Sequence, residues 1–334
     1  MDSSIFCDWV SMYQVHPEGS LPRVNEGAVW AVDAEGEIDW TVDKHLQAEG
    51  SFDTKVRLRC DGTKVELSGN IGRWNRPDNV FGFTFEQCVQ RANQLLASHG
   101  LPPFSRGRPD FVTGSDRVCW TGAIVTSVHL TQNLCLWSDA NARLFLRYLA
   151  AHQKGRMKVG VSPDGDSVMW GYGSKYANFI AYLKEPEMRK HLRRGKALPE
   201  VYDYVRGLGI VRLEAKYKTR FLTQKHLRYL AEVNMGQLIE LFQHDRRSVM
   251  HQEVHVDSFN EIPMPFRRTA KDWRDGMDLR QTMSKPTFYR HRSALLKHGI
   301  DIAVAPKVAA LPPKVVELNP TPLYAPDWYR EKYA

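Results

Sequence analysis

The chain has 334 residues, 43% of them hydrophobic and 25% charged, with a net charge of +8 and an isoelectric point near 9.2. That is the composition of a soluble globular protein long enough for two domains, and its basic balance points to an anionic partner. No window reaches the roughly 18 apolar residues of a membrane span. The opening MDSSIFCDWVSMYQV lacks the basic start and apolar run of a signal peptide. Five cysteines without a C-x-x-C pair exclude zinc-like spacing and read as reduced, mostly packed thiols of a protein that stays inside the cell.

Along the chain, residues 1–70 predict short strands at 5–10, 28–33, 37–42 and 55–60, rich in Val, Ile, Trp and Thr, with turns at Ala34-Glu35-Gly36 and Asp61-Gly62. Alternation at 55–59 and 64–67 predicts half-buried antiparallel pairs with one basic face. Residues 73–82 read as a loop. Thr84 then caps a helix through Ser98, with Gln87 completing a capping box and Gly100 ending it. Residues 123–131 predict a strand with Ser127, His129 and Thr131 on one side, followed by a helix over 140–153 behind Ser138-Asp139.

The stretch 166–187, DSVMWGYGSKYANFIAYLKEPE, carries Tyr182 and Lys184. A phenol with a free pKa of about 10 is a weak nucleophile that needs activation by a nearby cation, a base or a metal-polarised electrophile. On an extended strand, positions two apart share a face, which would set Lys184 beside Tyr182. The plainer alternative is a helical apolar stripe of Tyr176, Phe179, Ile180 and Leu183 that Tyr182 merely flanks.

A helix is predicted from Pro186. It carries the densest basic run, Arg189, Lys190, Arg193, Arg194 and Lys196, suited to phosphates or simply solvated. Residues 210–217 alternate so that Arg212, Glu214 and Lys216 share a face, where Glu214 is either functional or an ion-pair partner. Residues 250–270 read as a linker. Two helices, 272–283 and 286–297, follow, and the second presents Tyr289, Arg290 and Arg292 like a helix-turn-helix reader or a plain hairpin. The proline-rich tail, 304–334, reads as extended or partly disordered. The domain plan expected is therefore a core over 1–249 (strands 1–115, catalytic part 116–249), a linker, a helical DNA-binding region over 271–303, and the tail.

Five stretches, NVFG (79–82), VTSVHLT (125–131), AYLKEPE (181–187), VRLEAKYKTR (211–220) and KPTFYR (285–290), stand in a recognisable order and spacing. In that arrangement the chain resembles the filamentous-phage gene II replication-initiator family, over roughly residues 5–300. The resemblance implies a rolling-circle initiator related to the HUH endonucleases. Its fold would be α+β, with antiparallel sheets, helices packed on one side and a mainly helical C-terminal region. Such a site-specific single-strand endonuclease nicks origin DNA, keeps the 5′ phosphate on a tyrosine and later rejoins the strand.

The family tyrosine, lysine and glutamate fall on Tyr182, Lys184 and Glu187, and the glutamate of V-R-x-E-A falls on Glu214. The family's R-x-D-x-T strand falls on Ser127, His129 and Thr131, where serine and histidine replace arginine and aspartate. Carried over, His129, Glu187 and Glu214 would hold Mg²⁺ or Mn²⁺; Tyr176 or Tyr172 could serve as a second nucleophile in termination, though the family motif demands neither. Arg189, Lys190, Arg193, Arg194, Lys196, Arg212, Lys216, Lys285, Tyr289, Arg290 and Arg292 would contact DNA, and Trp74 or Trp170 would either stack on single strands or, equally, belong to the core. The implied partners are supercoiled and single-stranded origin DNA and the host polymerase and helicase, in the bacterial cytoplasm. A non-catalytic origin-binding regulator and a plasmid mobilisation relaxase are the alternatives.

Overall fold

A computed structural model describes residues 4–111, 118–152, 154–193, 199–250, 262–298, 300–304 and 318–333. Its frame is an antiparallel sheet. The strands in chain order are β1 (Ile5–Val15), β2 (Ala28–Val32), β3 (Ile38–Asp43), β4 (Leu46–Gly50), β5 (Thr54–Cys60) and β6 (Lys64–Gly69). They continue as β7 (Pro109–Phe111), β8 (Val118–Trp120), β9 (Ile124–Cys135), β10 (Val159–Val161), β11 (Ser167–Trp170), β12 (Ala177–Leu183), β13 (Ile210–Lys218) and β14 (Thr321–Pro322). The main sheet runs β10-β11-β12-β13-β9-β1-β6-β5-β4, with β14 on the end of β9, while β2-β3 and β7-β8 form separate ribbons.

The helices are α1 (Phe85–Ser98), α2 (Asp139–Ala150), α3 (Lys184–Arg193), α4 (Pro199–Val205), α5 (Thr219–Gln224) and α6 (Met235–Val249). After them come α7 (Met264–Arg274), α8 (Leu279–Thr282), α9 (Lys285–Leu296) and α10 (Asp327–Tyr333). The Thr84–Gln87 capping box forms as the sequence predicts, and Ser138 caps α2 through Asn141 N–H.

Strand alternation gives the sheet two unlike faces. One is apolar: Val10, Leu67, Val128, Leu130, Leu213, Ala215 and Phe179 meet Leu96 of α1, Leu149 of α2 and Phe242 of α6 in one core. The other is polar, because the registers Trp9↔His129, Lys216↔His129, Glu214↔Thr131, Arg212↔Asn133 and Tyr182↔Arg212 align the alternate residues of four strands on one side. The α+β class with helices packed on the sheet is thus the observed one. No helix among the described residues is long and apolar enough to cross a membrane.

The C-terminal third differs from expectation. A helix, α7, begins inside the expected linker, because Pro263 and Pro265 stand at its cap and first turn, where proline is favoured. The helix expected over 272–283 is broken: Gly276 takes a left-handed φ of 86°, and Asp278 caps a new short helix. Helices α7 to α9 enclose their own small core around Ala270, Leu279, Phe288 and Leu295. The last part of the tail is not loosely extended. Leu323 and Tyr329 are buried against Val80, Phe81 and Val205, so its apolar and aromatic residues override the signal of its prolines.

Candidate functional site

The site lies where β12 and β13 leave the polar face and residues 72–82 close over it. Tyr182 is directly opposite Arg212 in the register, and its hydroxyl donates to Glu214 Oε1 at 2.8 Å. Glu214 Oε2 lies 3.6 Å from Lys216 Nζ. Burial pushes the Tyr182 phenol well above its ordinary range; Arg212 pulls against this, and Glu214 and Glu187 add to it. The resting phenol therefore keeps its proton and shares it with Glu214.

Arg212 is fully buried. Its Nε donates to Asn133 Oδ1 at 2.9 Å, and Nη2 donates to the Asn79 carbonyl. Its Nη1, like Thr131 Oγ1 on the adjoining strand, is buried with no hydrogen-bond partner among the described residues. A buried guanidinium with an open donor costs energy until an acceptor arrives, and a phosphate oxygen is the matching acceptor. Arg212 thus joins the hydrogen-bonded cluster around Tyr182.

Lys184 does not continue the strand. It opens α3, and its ammonium donates to Asn79 Oδ1 at 2.7 Å and Glu187 Oε2 at 2.6 Å. The cation across from Tyr182 is Arg212 instead. Burial, then Arg212, lowers the Lys184 pKa, with Glu187 opposing. Lys184→Ala strands Asn79 Oδ1 but leaves a Glu187 that keeps access to water, so it is expected to destabilise the fold by about 1–2 kcal/mol in urea unfolding.

Asp8, which the sequence gave no reason to single out, joins this cluster. It sits at a bulge where the β1 register slips between Cys7 and Trp9, and Gly72 presses close enough that a Cβ there would stand 2.7 Å from the Cys7 carbonyl. Burial raises its carboxyl pKa against the pull of Arg212, with Glu214 adding to the rise. Asn79 and Asn133, which hold Arg212, were likewise not predicted as site residues. The available signals were a lone aspartate in an otherwise apolar run, IFCDWV, and the NVFG stretch that begins with Asn79.

His129 shares the polar face but not the cluster's hydrogen bonds. It stacks on Trp9 at 5.6 Å, opposite Lys216. Burial, then Lys216 and Lys218, lowers its pKa from 6.5 to about 3. Between those values the unfolded chain binds the extra proton, so His129 favours folding fully above pH 6.5, and that contribution is lost as pH falls toward 3. His129→Phe, which keeps a ring against Trp9, is expected to reduce the loss of melting temperature between pH 7 and about pH 4.

Among the described residues no three His, Cys, Asp or Glu side chains gather closely enough to hold a metal. Of the expected ligands, Glu187 accepts from Lys184, and Glu214 accepts from Tyr182 and lies near Lys216. The open donor on Arg212 suits an anion and not a cation.

Tyr176 hydrogen-bonds Gln224 and packs on Phe221 at 5.2 Å, and Tyr172 is 78% exposed on the turn before β12. Six residues of strand, about 20 Å, separate Tyr176 from Tyr182. Arg189 is bound by Glu185 at 2.7 Å, while Lys190 is exposed. The Arg193 side chain, Arg194 and Lys196 lie outside the described residues. On α9, Lys285, Tyr289 and Arg290 are exposed, but Arg292 is clamped by Asp301 at 2.6 and 2.7 Å. Trp74 and Trp170 are buried and offer no stacking surface. Further along the polar face, Tyr13, Lys64, Ser68, Lys175, Lys218 and Arg220 line an open groove of about 690 Å³.

Comparison with known proteins identifies relatives of the chain. The gene II replication-associated protein of Escherichia phage If1 is 26% identical over 316 residues, covering 82% of this chain and 97% of that protein. The one of Enterobacteria phage I2-2 is 23% identical over 317 residues, covering 89% and 88%. A solved rolling circle replication initiator protein from Geobacillus stearothermophilus is 10% identical, covers 72% of this chain and 84% of its own, and has a TM-score of 0.28. Residues 6–236 match the N-terminal model of the gene II replication-associated proteins and residues 259–334 match its C-terminal counterpart, so the chain belongs to the phage gene II replication-associated protein family.

Proposed function

We propose that this chain initiates phage DNA replication by nicking one strand of the origin through Tyr182. The phenolic oxygen attacks the scissile phosphorus as its proton passes to Glu214 Oε1. The P–O3′ bond breaks, and the departing 3′ oxygen takes a proton from solvent. A 5′-phosphotyrosyl protein and a 3′ hydroxyl result, and the hydroxyl primes the host replicative polymerase as a helicase displaces the strand. Later attack by a 3′ hydroxyl on the phosphotyrosine returns the phenol and rejoins the DNA without another energy source.

The observation that carries this reading is the Tyr182–Glu214 hydrogen bond beside a buried arginine with an open N–H. That N–H would take a nonbridging phosphate oxygen and offset the charge that grows on it. Glu214 is thus assigned to proton transfer. Mg²⁺ or Mn²⁺ remains the cofactor the family resemblance implies, but no step here runs through it, because the expected ligands are otherwise engaged.

The basic groove on the same face would carry the single strand, and α9 would bind duplex DNA. Lys285→Ala and Arg290→Ala are each expected to lower the slope of log affinity against log salt by about 1. The function is tested on a supercoiled plasmid bearing the phage origin, with Mg²⁺, Mn²⁺ or neither. A nick with a covalent protein–DNA band is expected. Tight binding without a nick under every condition would point to the regulator instead.

A further inference from the structure

We infer that Tyr329, in the last helix, is a positioning residue for Arg212 and Lys184, so that the C-terminal segment is a working part of the nicking site. The inference rests on the nicking reading. Tyr329 lies far from Tyr182 in sequence, and its ring is buried edge-on against Phe81 at 4.7 Å. Its hydroxyl donates to the Asp78 carboxylate, 3.1 Å from each oxygen, and accepts from Arg76. Asp78 and Arg76 are themselves buried, and Asp78 also accepts from Val80 N–H at 2.8 Å.

The residue between them is Asn79. Its carbonyl and side-chain oxygen hold Arg212 and Lys184 respectively. A second tie comes from the same C-terminal segment: Leu323 N–H donates to the Asn133 carbonyl at 2.9 Å, and the Asn133 side chain holds Arg212 Nε and donates to the Val80 carbonyl. Both anchors of the buried guanidinium are therefore seated by residues 318–333. Without the Tyr329 hydroxyl, the buried Asp78 side chain loses one of its hydrogen-bond donors. The cheapest relief is movement of residues 76–82, which would carry Asn79 away from Arg212 and Lys184.

The test uses the full chain carrying Tyr329→Phe, which keeps the ring against Phe81, and Asp78→Asn, which keeps an acceptor for the hydroxyl. Both are read well below their melting temperatures. For Tyr329→Phe, covalent adduct formation at saturating origin oligonucleotide is expected to slow about ten- to a hundred-fold, the usual cost of a small misplacement. Half-saturation should stay within about twofold, since binding is made elsewhere. Asp78→Asn should retain most of the rate.

Hydrogen exchange on the same samples does not depend on nicking. Peptides over 76–82 and 184–189 should exchange faster in Tyr329→Phe. Unchanged rate and exchange, or a rate loss matched by an equal loss of binding, overturns the inference. Wild-type protein that forms no adduct while the exchange difference persists counts against nicking and leaves the brace standing.

Discussion

Tyr182→Phe is expected to abolish the covalent DNA adduct and to lower nicking by more than about 10⁴-fold, the scale on which loss of a nucleophile acts. The fold should survive the change. The hydroxyl makes one hydrogen bond, to Glu214, which keeps Lys216 nearby, so the stability cost should be about 1 kcal/mol. Origin DNA should still bind, because the lysines of the groove and of α9 are untouched. A gel separating free, nicked and protein-linked plasmid reads all of this at once.

The second large effect is expected at Glu214. Glu214→Gln keeps an oxygen for the phenol but cannot take its proton, and adduct formation should fall by about 10²- to 10⁴-fold at neutral pH. The residual rate should then climb about tenfold per pH unit from about pH 7 to 9, because the phenolate forms only by losing its proton to solvent. Burial already holds this phenol well above its ordinary range, so no plateau is expected in that interval. If Glu214 served a metal instead, raising Mn²⁺ would restore the variant and the steep pH dependence would be missing.

Much of the frame was legible before any coordinates. Period-two alternation marked the two faces of β5, β6 and β13, and capping residues marked the starts of α1 and α2. The same alternation put Glu214 and Arg212 on one side, and the resemblance singled out Tyr182. What alternation does not contain is which strands become neighbours. The order β12-β13-β9-β1 joins elements from distant parts of the chain, and only that order sets Tyr182 against Arg212 and brings Asp8 near Arg212 and Glu214.

Lys184 was misplaced for a local reason. The strand ends at Leu183 and a helix starts at Lys184, which turns the side chain toward Asn79 and Glu187. Arg212 looked like a surface cation because a basic residue on an alternating strand usually is one. Its burial comes from residues 72–82 and from the C-terminal segment, and the prolines of that segment masked its aromatic anchor. Of the expected metal ligands, Glu187 accepts from Lys184 and Glu214 from the Tyr182 phenol, partners that strand alternation does not reveal.

The central claim is that Tyr182 takes the phosphate. The direct measurement is fragmentation of the DNA-linked tryptic peptide YANFIAYLK, residues 176–184, after nuclease trimming, because that one peptide contains both Tyr176 and Tyr182. Phosphate on Tyr182 with none on Tyr176 is the predicted result. Phosphate on Tyr176, or on Tyr172 in the preceding peptide, would contradict it.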